Sequence, residues 1–182
     1  MPTLEEQRTE FIRQSGRFLA FPIAGAVVWF AIGIASLVLP PKGALYALLL
    51  GSGAIFPLAL RIASLTGQQV FQKGNQFATL MGSSVLMVNL LWALHFLLLA
   101  RLPALAPVSI AIALGIHWIV FGWIIQSSLG LVHAISRTVL CTAAYAVFKE
   151  QAIFAVSMSV VLCYALTIGQ LLAHFRRLAR AG

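Results

Sequence analysis

Six long apolar runs, separated by short polar or proline-bearing breaks, set the pattern of the chain: residues 18–39, 44–65, 77–100, 107–125, 129–148 and 151–175. Each is close to the ~20 residues an α-helix needs to cross a bilayer core of ~30 Å. Backbone polar groups in lipid must be satisfied within their own segment, so runs of this length predict helices rather than open strands. The predicted fold is all-α, a polytopic six-transmembrane-helix bundle. Residues 1–17 form a short cytoplasmic amphipathic segment, 18–175 the transmembrane domain and 176–182 a basic cytoplasmic tail. The first run is long enough to span and is closely followed by further spans, which favours an uncleaved helix over a signal peptide.

The breaks have distinct characters. Pro40, Pro41, Lys42 and Gly43 make a turn, Pro103 and Pro107 bracket another, and Gln126, Ser127 and Ser128 leave only a tight connection. Residues 66–76 are the most polar connection, predicted as a solvated loop with a short interfacial helix around Val70 and Phe71. In the second helix Pro57 lacks a backbone donor, which predicts a kink near Gly53 with freed carbonyls turned inward; close packing through Gly51, Ser52 and Gly53 is the plainer use of that stretch.

Composition agrees with the pattern. Of the 182 residues 61% are hydrophobic and 9% charged, with mean hydropathy +0.98, against ~25% charged residues in an ordinary soluble domain. The net charge of +8 does not point to nucleic acid, because most of the basic residues flank apolar runs and no soluble basic module carries them. Placing both termini inside gives the inner face eight basic residues (Arg8, Arg13, Arg17, Arg61, Lys73, Arg176, Arg177, Arg180) and the outer turns three (Lys42, Arg101, Lys149). The imbalance predicts an N-in, C-in protein of the cell membrane, the inner membrane of a bacterium, in contact with lipid headgroups. Cys141 and Cys163 fall inside apolar runs and read as packing residues rather than a disulfide framework.

The remaining basic residue, Arg137, stands mid-span. A charge there is costly and turns to a polar interior, yet the chain has no Asp, and Glu5, Glu6, Glu10 and Glu150 all lie outside the apolar runs. With ~1.5 Å of rise per residue, distances from the turns place Asn89, His117, Arg137 and Cys163 at one height, near Ser52 and Gly53. His133, Arg137 and Cys141 follow an i, i+4, i+8 spacing on one helix face, and Ser159, Cys163, Thr167, Gln170 and His174 form a polar stripe on the next helix. The candidate ligand-binding residues are therefore Asn89, His117, His133, Arg137, Thr167 and Gln170. Interhelical hydrogen bonding at ~0.6–2 kcal/mol per contact accounts for the hydroxyls of the stripe but poorly for Arg137. Haem ligation needs two histidines at matched depth, which His117 lacks, and a zinc site needs ligands that do not cluster here. Without embedded acids a catalytic triad has no orienting group, so no catalytic residue, metal or cofactor is assigned, and a non-enzymatic role is favoured. Trp29 to Gly33 and Trp118 to Gly122 share a spacing that would suit two three-helix halves, although Trp and Gly are common in membrane helices generally.

At Gly51-Ser-Gly-Ala-Ile-Phe-Pro57, at Asn75, and at Gly115-Ile-His-Trp118 with Phe121, the chain resembles an uncharacterised bacterial family of small six-helix membrane proteins, with Ile-Phe-Pro in helix two and Gly-x-His-aromatic in helix four. Members carry Pro after the loop Asn where this chain has Gln76. The resemblance implies the six-helix fold, directs attention to His117 and supplies no function. Two classes of function stay open. One is a carrier or channel-like binder of an anionic or amphiphilic small molecule, coupled through His protonation if at all. The other is a non-transporting structural or regulatory membrane subunit. A water-accessible path to Arg137 would favour the first, a dry packed layer the second. Assembly with further copies of the chain is open.

Overall fold

The computed structural model describes residues 2–16 and 18–181, without the side chains of 178–181. Arg17 and the side chain of Arg180, both part of the charge balance, lie outside the described residues.

Six helices are long and apolar enough to cross a membrane. A short helix, α1 (Leu4–Gln14), precedes them, closed by a capping box in which Thr3 and Glu6 exchange backbone and side-chain hydrogen bonds; those bonds hold the Glu6 carboxyl below its ordinary pKa. The first two spans are α2 (Ala20–Val38) and α3 (Pro41–Leu65). Pro41 takes the first helical turn of α3, where its missing N–H costs nothing, so much of the expected turn is already helix. The third span breaks at Leu91 into α4 (Gln76–Leu90) and α5 (Trp92–Arg101). The fourth breaks at His117 into α6 (Ala106–Ile116) and α7 (Trp118–Ile124). α8 (Leu129–Val147) and α9 (Ala152–Ala181) complete the set, and the predicted tail at 176 onward continues α9 as helix. An even number of spans puts both chain ends on one face of the bundle.

α2, α6 with α7, α8 and α9 pack on one another and form the centre. α3 lies against α2, and the α4–α5 span lies against α6 and α7 on the other side; these are the two least buried spans. α3 runs unbroken through Pro57, whose ring is exposed, as is Gly53 one turn earlier. The carbonyl released by Pro57 therefore lies on the outer surface, not the interior, because the proline ring covers the same side of the helix as the carbonyl four residues before it. The inward residues of α3 are Ala44, Leu48, Ser52, Ala59 and Ala63.

The connection at 66–75 is not a freely solvated loop, and the expected helix at Val70 and Phe71 is absent. Gln72 and Asn75 are buried. Asn75 Oδ1 accepts from the backbone N–H groups of Phe77 (2.9 Å) and Ala78 (3.3 Å), capping α4, while Nδ2 donates to the Gln7 carbonyl at 2.7 Å. Gln72 Nε2 donates to Ser15 Oγ at 2.9 Å and to the Phe11 carbonyl at 3.2 Å. These bonds, with Phe11 packed beside Phe77 and the Arg8 guanidinium 4.9 Å from the Phe77 ring, seat α1 across the end of the bundle.

Candidate intramembrane site

The i, i+4, i+8 spacing on α8 places His133, Arg137 and Cys141 inside the bundle, all buried. Arg137 has no exposed surface. Its Nε donates to the Ala111 carbonyl of α6 at 2.7 Å, a carbonyl left bare because residue 115, one turn on, is glycine. A side chain at 115 would cover the turn before it, and a Cβ built there would stand 2.8 Å from Arg137 Cδ. Two aromatic rings flank the guanidinium, Trp29 of α2 at 5.6 Å and Tyr164 of α9 at 5.1 Å, within the range of cation–π attraction. Tyr164 reaches this position through a second notch: a Cβ at Gly25 would meet its ring at 2.5 Å. Nη1 and Nη2 are buried with no hydrogen-bond partner among the described residues.

One turn away His133 Nδ1 lies 2.7 Å from Thr167 Oγ1, and the Thr167 hydroxyl donates to the Cys163 carbonyl at 2.8 Å. The hydroxyl has one proton, so Nδ1 is the donor of the first bond and Nε2 carries a lone pair; Nε2 has no partner. The imidazole packs against Trp118 (4.6 Å between ring centres) and Tyr164 (5.3 Å). Arg137, His133 and Thr167 thus join one buried cluster with Trp29, Trp118 and Tyr164. The indole N–H groups of both tryptophans and the Ser157 hydroxyl are also buried and unpartnered.

The other candidates fall elsewhere. Asn89 is exposed on the outer surface, its Nδ2 donating to the Val85 carbonyl on its own helix at 3.0 Å. The height expected to match His117 does not bring it inward, and it sits just before the break at Leu91, where a side chain that takes up a helix carbonyl has its place. Gln170 is exposed and lines a small cavity of 220 Å³ with Ser127, Ser128, His174 and Arg177. His117, at the break between α6 and α7, lines a larger cavity of 350 Å³ together with Trp118 and Phe121. That lining also includes Phe18, Phe21 and Phe56, Met81, Gly82 and Val85 of α4, and Ser15, Gln68 and Gln69 at the end covered by α1. The cavity exists because α3 and α4 do not pack along each other. Arg137 lines neither cavity, and the Trp118 ring belongs both to the wall of the larger one and to the cluster behind it.

Trp29, Trp118 and Tyr164 were not among the predicted site residues. The shared Trp-x-x-x-Gly spacing marks the two tryptophans, both buried with Gly33 and Gly122 buried beside them, while Tyr164 carries no such signal. Among the described residues no group of three or more His, Cys, Asp or Glu side chains is arranged to hold a metal ion.

The chain belongs to DUF7010, a family of unknown function whose model matches residues 4–174. No curated protein and no solved structure matches it.

Proposed function

We propose that this member of the family is an N-in, C-in protein of the bacterial inner membrane that binds an amphiphilic small molecule and carries it within or across the bilayer. The observation behind the reading is the 350 Å³ cavity between α3 and α4. At ~30 Å³ for each water-sized group it has room for on the order of ten such groups, the apolar length of a single-chain amphiphile. Phenylalanine, methionine and valine side chains suit the chain; Ser15, Gln68 and Gln69 suit a polar head near the end covered by α1. His117 adds a polar side chain to the wall at the break between α6 and α7. The full burial of Arg137 outside the cavity supports the other reading, a structural or regulatory subunit with a packed polar layer.

Gly82 supplies the test, because a Cβ added there meets nothing within 4 Å. Gly82→Phe should fill the cavity while leaving the melting temperature of the purified protein within about 2 °C of the parent, a cost of no more than ~1 kcal/mol at this chain length. Crosslinking to a photoactivatable single-chain fatty acid should fall at least tenfold in this variant. Equal labelling of parent and Gly82→Phe, or no saturable labelling of the parent, would remove the binder reading and leave the structural one.

A further inference from the structure

We propose that Arg137 and its aromatic neighbours form a closed site for one small monovalent inorganic anion of halide size. The inference does not rest on the amphiphile cavity, since Arg137 lines neither cavity; of the anion's proposed donors Trp118 alone borders the larger one.

The guanidinium is permanently charged, and a buried charge without a counter-charge is strongly disfavoured. Among the described residues no carboxylate answers it. Glu5 and Glu10 pair with Arg8 and Arg13, Glu6 caps α1, and Glu150 is exposed in the turn before α9. Arg137 makes no ion pair among the described residues. The aromatic rings attract the charge without accepting the in-plane N–H groups, of which only Nε–H has an acceptor, the Ala111 carbonyl. The four protons on Nη1 and Nη2 remain.

The unpartnered groups nearby decide the class of ligand. Besides the two Nη atoms they include the indole N–H groups of Trp29 and Trp118 and the Ser157 hydroxyl, which can donate or accept, against the ring nitrogens His133 Nε2 and His117 Nδ1. Donors are in excess. A water would accept from two of these donors but bring two of its own and no charge, whereas a halide accepts only and neutralises the guanidinium. The full burial of Arg137 limits the ligand to an atom or a few atoms, and the single positive charge limits it to one negative charge.

The experiment uses the full-length protein in detergent micelles, exchanged at constant ionic strength among chloride, bromide and gluconate. Chloride and bromide should raise the melting temperature saturably over gluconate, and Arg137→Gln should abolish the rise. Bromide should also quench tryptophan fluorescence with a saturable component that Trp29→Phe removes, a readout that holds even if Arg137→Gln does not fold. Gly82→Phe should leave both effects intact. Equal melting temperatures in all three salts with only linear quenching would overturn the site. Loss of the halide effect in Gly82→Phe would place the anion in the cavity and overturn it equally.

Discussion

A guanidinium at the centre of a membrane bundle is expensive unless its hydrogen bonds and charge are met, and Arg137 meets them only in part. Gly115 bares one carbonyl and makes room for the aliphatic stem, Gly25 admits the Tyr164 ring, and Trp29 closes another side. This surround shelters the charge without neutralising it. Replacing a buried ionic group by an apolar one of similar volume is often neutral or stabilising. Arg137→Leu should therefore express and fold at least as well as the parent, and in gluconate should melt at an equal or higher temperature. A variant that fails to fold would show that the bond to Ala111 and the ring contacts carry more stability than the charge takes away.

At the scale of elements, the connection between α7 and α8 is the tightest joint in the molecule. Gln126 adopts a left-handed backbone (φ 53°), which lets the chain reverse within a few residues. Gly122 and Gly130 then bring the two backbones into contact, so that a Cβ at Gly130 would stand 1.8 Å from the Trp118 carbonyl oxygen. The obstacle is backbone, and no rotamer change relieves it. Gly130→Ala should cost about 3 kcal/mol or more, at the top of the range for overpacked sites. Because α8 carries His133 and Arg137, it should also abolish the halide-dependent melting shift. A melting temperature within about 2 °C of the parent would mean that the helices separate freely at this joint.

For the whole molecule, orientation in the membrane rests on charge. Gln72, as the most polar loop suggests, would be the natural labelling site, but it is buried against α1; Lys73 beside it is exposed, as is Lys42 in the first turn on the opposite face. Both native cysteines are buried, so background labelling should be low. In intact cells Lys42→Cys should react with an impermeant thiol reagent, and Lys73→Cys should react only after permeabilisation. The reverse pattern would invert the topology.

The six spans could be read from the chain because insertion depends on local transfer free energy, summed over consecutive residues and indifferent to what the helix later touches. The stripe of His133, Arg137 and Cys141 was legible for a related reason: strongly polar groups at helical spacing in an apolar run have one side to turn to. Facing was legible only in part elsewhere: Cys163 and Thr167 turn inward from the α9 stripe, with Thr167 meeting His133, while Gln170 is exposed. In a membrane bundle the interior and the lipid are both apolar, so periodicity does not tell an inward leucine from an outward one, and a single Asn can satisfy itself on its own helix, as Asn89 does. Height from the turns matched His117 with Asn89 but could not supply the rotation that separates them. The partners of Arg137 come from α2, α6 and α9, far apart in sequence, and the large cavity arises where α3 and α4 fail to pack. Those features depend on which helices become neighbours and how closely glycines let them approach, and only the tertiary structure decides that.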